Sequence, residues 1–408
     1  MQPAISPLQR IKVPLSIHIP PTIWFASLLL VVTTASAQTI NWGPFRLNLG
    51  ASASATYTDN KDASERNPQS EITFEVGPTV TGGIQLTPQL PAFEPLTLDV
   101  AASYSISYSL EDEWDESFDA PINVAFRLPM RIMKWDVILS DTFSFSNEPL
   151  EQTFAFNRDD VPSYENVAQL SISRTGGRLG INFGVSRQDQ WYPDDPEQDE
   201  TAYQFSITPA YYFRENYSIF WRNSYGITDR HGPGEPDSEG YSSEIGVSGQ
   251  ITPNLSGVVS IGFAHTDVHR TNGTDRVDGI SSTLALNYVQ PLRPNTTYSI
   301  AFTRSPGITA ALEDSDITEV TSVTLSIAHR LSRFITLSPT IGWTLLEDIS
   351  SDGDGEKVHI IQIGMGLSRQ FTRKLSGGLT YRYQTRDSNL PDQSYDVNEV
   401  TVNLTYTF

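Results

Sequence analysis

The side chains of this sequence that could do chemistry are few and far apart. The chain contains no cysteine, so thiol catalysis and thiolate metal sites are excluded. A hydrolase would need a nucleophile beside a base, and no serine and carboxylate stand in a recognisable pattern with any histidine. The histidines beyond residue 37 are His231, His265, His269, His329 and His359. We therefore predict that the protein is not an enzyme and that it needs no cofactor.

Two short segments carry possible metal ligands at close spacing. His265, Asp267 and His269 alternate along the chain, so a strand would place all three on one face, where they could bind a metal or form a hydrated rim. Residues 351–356 (SDGDGE) resemble a calcium loop but lack the remaining ligand spacing of an EF-hand. Neither segment is sufficient evidence for a metal site, and we predict none.

The elements that must position these residues are strands of alternating apolar and polar character. In residues 45–58, Phe, Leu, Ala and Tyr hold the odd positions, while Arg, Asn, Gly, Ser and Thr hold the even ones. Successive side chains of a strand point to opposite faces, so this run has one apolar and one polar face. About eighteen such runs follow one another, with sixteen as the alternative, and most could cross a bilayer as tilted strands. The pattern predicts an all-β fold, a transmembrane antiparallel up-and-down β-barrel over residues 45–408.

The connections between the runs alternate between short and long, which indicates short periplasmic turns and long extracellular loops. Short ones include residues 252–254 and 332–333, whereas long ones, such as residues 111–119 and 194–200, are acidic. The chain has a net charge of -21, which argues against nucleic-acid binding. Aromatic residues flank both sets of connections, as expected at two lipid–water interfaces. The expected partners are therefore outer-membrane lipid and lipopolysaccharide.

Residues 1–37 have the features of a secretory signal peptide. A short apolar core at residues 24–32 follows positively charged residues, and Ala35 and Ala37 are the small residues that signal peptidase requires. We expect cleavage after Ala37, which leaves residues 38–44 as a short periplasmic segment before the barrel.

The polar face of the predicted barrel carries few charges among its Ser, Thr, Gly, Asn and Gln residues. The charged candidates for lining the lumen are Glu75, Asp99, Arg127, Asp136, Arg222, Glu244 and Arg382. They could brace the barrel through hydrogen bonds, or they could select ions, and the sequence leaves both interpretations open. Eighteen strands enclose an aqueous lumen unless a loop fills it. The best candidate for such a loop is residues 147–163, which carry Phe154 and Phe156.

One residue conflicts with the alternating pattern. Asp141 shares the parity of Leu139 and Phe143, so a regular strand would point its carboxylate at lipid. We expect a bulge there, a subunit contact, or a strand that is shifted toward the rim.

The last run, residues 400–408 (VTVNLTYTF), alternates and ends in phenylalanine. It resembles the signal that the barrel-assembly machinery reads in outer-membrane proteins, with Tyr406 and Phe408 as the signal residues. The turns at 252–255 (TPNL) and 373–375 (RKL), each followed by a Ser/Gly-rich strand, resemble the porin-like group called putative beta-barrel porins. The resemblance implies a Gram-negative outer-membrane location and assembly by that machinery, but it names no solute. A plug domain and an energy-coupling box are not seen before the barrel, which departs from the pattern of active transporters.

Three functions fit these features. The first is a porin-like channel for passive diffusion of small hydrophilic solutes or oligosaccharides. The second is a structural or surface-interaction barrel whose acidic loops bridge divalent cations and lipopolysaccharide. The third is the outer-membrane component of a polysaccharide-export system. Conductance in planar bilayers separates the first from the second, and co-purification with an inner-membrane partner or a secreted glycan would favour the third. The chain could also form a homo-oligomer.

Overall fold

The computed structural model describes residues 40–61, 63–66, 68–86, 95–109, 118–119, 121–146, 162–193, 196, 199–232, 237–270, 273–290, 295–307, 318–349 and 355–408. The predicted signal peptide and the two phenylalanines of the candidate plugging loop, Phe154 and Phe156, lie outside these residues, as does much of the acidic loops. Among the described residues, no helix is long and apolar enough to span a bilayer.

The described chain is built from β-strands that join one sheet. In chain order the strands are β1 (Ile40–Trp42), β2 (Phe45–Thr58), β3 (Glu71–Leu86), β4 (Leu96–Ser103), β5 (Ser105–Ser109), β6 (Phe118–Asp119), β7 (Ile122–Ile132), β8 (Trp135–Ser146), β9 (Ser163–Gly176), β10 (Leu179–Trp191), β11 (Glu200–Arg214), β12 (Tyr217–Arg230), β13 (Asp237–Thr252), β14 (Leu255–Arg270), β15 (Gly273–Val289), β16 (Thr296–Gly307), β17 (Thr318–Ser332), β18 (Ile335–Asp348), β19 (Lys357–Gln370), β20 (Leu375–Ser388) and β21 (Tyr395–Thr407).

Two prolines account for the breaks between β4 and β5 and between β6 and β7. Tyr104, between β4 and β5, donates its backbone N–H to the carbonyl of Pro78, and Ser103 donates to the carbonyl of Pro121. Neither proline can donate in return, so the ladder is interrupted at both places. The register is the same on either side of each interruption. β4 with β5, and β6 with β7, therefore each occupy one strand position in the wall.

The sheet closes on itself. Consecutive wall strands pair antiparallel, and the last strand β21 pairs with β2 from Gly50↔Thr407 to Thr58↔Glu399. The N–H of Phe408 extends this seam by donating to the carbonyl of Leu49 at 2.8 Å. The short strand β1 pairs with the start of β2, where β21 has ended. Because β1 is an addition to the wall, the twenty-one strands form an eighteen-stranded barrel, and the predicted fold is confirmed.

The two faces of the wall differ as the alternation predicts. Large apolar side chains on the outer face are exposed, and Ile261, for example, keeps 60% of its surface accessible. Other exposed apolar residues on this face include Ile245, Phe263, Ile280, Ile341 and Val402. A water-soluble protein rarely exposes so continuous an apolar surface, which suits contact with lipid instead.

The connections define two ends of the barrel. One end, which we call the short-turn end, carries two- or three-residue turns such as Met133–Lys134, Gly177–Arg178 and Arg333–Phe334. Met133 and Gly177 have positive φ values of 58° and 62°, a conformation that glycine adopts at little cost and methionine at more. We call the opposite end, where the longer connections lie, the long-loop end.

The irregularity predicted around Asp141 does not occur. β8 pairs without a register shift with β7, from Ile132↔Trp135 to Ile122↔Phe145, and with β9 along its length. Asp141 lies in the middle of this twelve-residue strand, so the predictions of a bulge and of a shift toward the rim are wrong. Its carboxylate instead accepts a hydrogen bond from Asn166 Nδ2 at 3.2 Å, which gives a regular strand a polar neighbour on the same face.

Candidate functional site in the barrel lumen

The strand register places the seven charged candidates on the polar side of the wall. They lie on β3, β4, β7, β8, β12, β13 and β20, at positions opposite in parity to the exposed apolar residues of the same strands. The positions are Glu75, Asp99, Arg127, Asp136, Arg222, Glu244 and Arg382. They form separate groups rather than one cluster, since each interacts mainly with side chains of adjacent strands.

Glu244 is the centre of the most enclosed of these groups. Arg222, its cross-strand partner on β12, approaches to 3.7 Å between Nη1 and Oε2. Ser260 Oγ donates to Oε2 at 2.9 Å, and Ser281 Oγ donates to Oε1. Glu244 is buried, and these donors satisfy the carboxylate where little water reaches it. A Cβ at Gly262 would lie 2.0 Å from the Ser243 carbonyl oxygen, so glycine is required beside this group.

A second group lies at the closure seam. Arg382 Nη2 donates to Glu399 Oε2 at 3.0 Å across the β20–β21 pair. Thr401 is hydrogen-bonded to Thr56 across the β2–β21 seam at 3.1 Å. On the next pair, Ser54 Oγ donates to Glu75 Oε2 at 2.8 Å. The sequence prediction missed Glu399, although its parity with Thr401 and Thr405 could have identified it.

Asp99 contributes to a lumen groove near the short-turn end. The groove measures about 380 Å³, and its polar lining includes Arg46, Asn48, Gln85 and Asn123. It offers both signs of charge and neutral amide groups, so it can hydrogen-bond hydroxyl-rich solutes without strong preference for either charge.

The remaining two candidates lie on the β7–β8 pair, where Asp136 is next to a short turn and Arg127 is in the middle of its strand. Arg131 Nε and Asp136 Oδ1 are 3.7 Å apart on paired positions of β7 and β8, and both side chains are exposed. Arg127 is also exposed and faces Ser140 across the same strand pair. These charges are therefore in contact with water.

The long-loop end contains a fully buried ion pair. Arg386 Nη2 donates to Glu356 Oε1 at 3.0 Å, and the two side chains are 0% and 2% exposed. Ser388 Oγ donates to the same carboxylate oxygen at 2.8 Å, and Arg386 Nε donates to the Gln393 carbonyl at 3.2 Å. Glu356 belonged to the calcium-like segment, but its carboxylate serves this ion pair.

Solvent reaches the lumen wall unequally at the two ends. Next to the ion pair, Leu346, Val358 and Ile360 form a buried apolar cluster on the polar side of the wall, with Val320 packed against it. On β14, the lumen-side residues change from exposed at Ser256 to fully buried at Val268. The lumen is therefore accessible at the short-turn end and filled toward the long-loop end in this sector.

The rim between β10 and β11 is fixed by a buried tyrosine. Tyr192 N donates to Asp199 Oδ1 at 2.7 Å, and Gln190 Nε2 donates to its hydroxyl at 2.6 Å. Burial, reinforced by the negative charge of Glu200, raises the pKa of Tyr192 to about 12. The phenol therefore stays neutral at physiological pH and adds no negative charge to this acidic rim.

The histidine segment lies on the outer face near the long-loop end. His265 Nδ1 is 2.7 Å from Asp278 Oδ1, and Arg276 Nε is 3.1 Å from Asp267 Oδ1. Each acid thus already has a cationic or histidine partner. Within the described ranges, no three histidine or acidic side chains are arranged to hold a metal ion.

Comparison with known proteins identifies a family. The family described as "Putative beta-barrel porin 2" matches residues 35–408. Comparison with curated proteins finds no match. Among solved structures, the chain is similar to a BenF-like porin from Pseudomonas fluorescens Pf-5, with a TM-score of 0.52 and 11% identity over 90% of this chain and 99% of that one. It is also similar to the outer membrane protein opdK from Pseudomonas aeruginosa, with a TM-score of 0.50 and 10% identity over 89% and 99%. At these identities the likeness concerns the fold.

Proposed function

Because the chain belongs to the Putative beta-barrel porin 2 family and is an outer-membrane barrel, we propose that it is a channel for passive diffusion of small hydrophilic solutes or oligosaccharides. The observation that carries this proposal is the chemistry of the lumen wall. Many of its side chains carry hydroxyls and amides, and five of its arginines pair with carboxylates.

The charge pairing favours neutral solutes over ions. Five arginine–carboxylate pairs occupy the polar side of the described strands or the residues next to them, at distances of 3.0 to 3.7 Å. They are Arg131–Asp136, Arg222–Glu244, Arg230–Glu200, Arg382–Glu399 and Arg386–Glu356. A paired charge projects a weak net field into the lumen, whereas hydroxyls and amides can replace the water around a sugar.

The filled long-loop end favours a narrow passage. The same feature supports the second candidate function, a structural barrel without conduction, because the buried apolar side chains of Leu346 and Val358 exclude water from part of the wall. The two functions differ in one measurable property, which is the conductance of the purified protein in a planar bilayer.

A pair of single-cysteine variants makes this test specific to the lumen. The chain has no cysteine, so Thr380→Cys on the polar side and Leu379→Cys on the outer face each create one reactive thiol. We expect that a charged, membrane-impermeant thiol reagent lowers the conductance of the first variant and leaves the second unchanged. The uptake of sugars by protein-containing vesicles should show the same difference. A complete lack of conductance and sugar uptake would contradict the channel and favour the structural barrel.

A further inference from the structure

A polar patch interrupts the outer face of the barrel across β8 to β11. We define the patch by Asp141, Asn166, Arg187, Asp189 and Thr201. Asn166 Nδ2 donates to Asp141 Oδ1 at 3.2 Å. Arg187 donates to Asp189 Oδ1 from Nε at 3.0 Å and from Nη2 at 2.7 Å, and Thr201 Oγ1 donates to the same oxygen at 3.0 Å.

These residues lie on the side of the wall that faces outward. Asp141 stands between Leu139 and Phe143, and Arg187 follows Val185, whose side chain is exposed on the same face. Asp141 is about six residues from Trp135 at the short-turn end, which corresponds to about 14 Å along the membrane normal for a strand tilted by about 45°. An apolar band is about 25 Å tall, so this carboxylate lies near its middle.

Lipid is a poor environment for this patch. Charged groups within the bilayer are costly, and in known membrane proteins they face other protein groups or water. Asp189 is buried beneath Arg187 and Thr201, but Asp141 is only half-buried and the Arg187 side chain is 53% exposed. Two opposite charges are thus left partly accessible on the outer face.

Their spacing suits a symmetric partner. The cross-strand pairs Asp141↔Ala168 and Ala168↔Arg187 put the acid and the arginine on opposite sides of one small residue. An axis normal to the membrane and passing beside Ala168 would bring Arg187 of each copy to Asp141 of the other, as in an isologous interface. The guanidinium has five N–H donors, so it can bind a second carboxylate while it keeps Asp189.

The surroundings of the patch favour close approach. Ala168 leaves room for two walls to come together, as small residues do between transmembrane elements. Toward the long-loop end, the rings of Phe145 and Tyr164 are stacked at 4.6 Å, which presents a flat apolar surface beside the polar one. We propose that the outer face of β8 to β11 is the contact surface for a second copy of this chain. This proposal rests on the outer-membrane location and does not depend on transport.

Cysteine crosslinking in the membrane tests the proposal directly. Ala168→Cys should give a disulfide-linked dimer as the main product of mild oxidation, because the two thiols would lie beside the axis. Ile341→Cys is the matched control, since it is outward-facing, 51% exposed and on β18, across the barrel from β9. Folded Ala168→Cys that remains monomeric, or equal crosslinking at both sites, would overturn the proposal.

The mass of the unmodified protein in mild detergent provides an independent measurement. We expect a dimer by light scattering, and Asp141→Leu should convert it to a folded monomer, since the substitution removes the charge that Arg187 of the other copy would bind. A monomeric unmodified protein, or an Asp141→Leu variant that remains as dimeric as the parent, would also overturn it. Neither experiment measures conductance, so the dimer proposal and the channel proposal can fail independently of each other.

Discussion

Replacement of Glu356 by glutamine should destabilise the barrel strongly. The substitution leaves the Arg386 guanidinium buried without its counter-charge, and both side chains of the parent pair are at most 2% exposed. Removal of one partner from a buried ion pair typically costs about 3–5 kcal/mol, whereas a solvated pair is worth about 0.2–1 kcal/mol. Glutamine can still accept hydrogen bonds from Arg386 and Ser388, so we expect a loss of about 3 kcal/mol, the lower end of that range. Denaturant unfolding in lipid vesicles, followed by tryptophan fluorescence, measures the free energy of unfolding.

The neighbouring residue supplies the control. Lys357 Nζ pairs with Glu347 Oε1 at 2.5 Å on the outer face, with side chains 47% and 34% exposed. Lys357→Gln should therefore cost less than about 1 kcal/mol. A double variant, Glu356→Leu with Arg386→Met, should recover most of the stability, since it leaves no unpaired charge. If Glu356→Gln costs no more than Lys357→Gln, the reasoning about the buried pair is refuted.

Three further predictions concern packing, selectivity and processing. Gly77→Ala should lower the yield of the folded, heat-modifiable band on gels, because its Cβ would lie 1.5 Å from the Tyr104 carbonyl oxygen. Gly342→Ala, whose nearest contact would be 3.7 Å, should fold normally, and equal yields would contradict the steric argument. Reversal potentials should show a mild cation preference at low salt, because the predicted extracellular loops, such as residues 111–119 and 194–200, are acidic and would rim the outer mouth. The preference should fade as the screening length falls from about 30 Å at 0.01 M to about 3 Å at 1 M. Strong anion selectivity would contradict the assigned lumen face. Mass spectrometry of the membrane-extracted protein should find Gln38 as its first residue. A mature protein that still contains residues of the 1–37 segment would show that cleavage does not occur after Ala37.

The wall of the barrel could be predicted because the period of a strand is two. A shift of one residue would move every apolar side chain of a strand to the wrong face, so the alternation defines both the strand and its orientation. The predicted runs at residues 375–387 and 395–408 match β20 and β21 to within one residue. Closure followed from the same logic, since an unpaired strand edge cannot face lipid.

The contacts inside the lumen could not be predicted in this way. Arg386 and Glu356 are far apart in the chain, and parity alone says only that Arg386 points inward. Whether an inward side chain meets water or protein depends on what occupies the lumen at that height. The parity of Asp141 was assigned correctly, but the compensation by Asn166 depends on a diagonal contact between β8 and β9. Parity does not distinguish such a contact from a bulge.

The closed wall also constrains how such a channel could change its width. Every wall strand is hydrogen-bonded to both neighbours, including β2 to β21 across the seam. Separation of two strands would expose backbone N–H and carbonyl groups to lipid, where each unsatisfied group costs several kcal/mol. A change in cross-section must therefore come from groups inside the lumen and leave the wall intact. In the described residues those groups are most closely packed at the long-loop end, where Leu346, Val358 and the Glu356–Arg386 pair are buried. For the proposed channel, we therefore expect the main resistance to a passing solute at the long-loop end, because the groove beside Asp99 lies in the accessible part of the lumen.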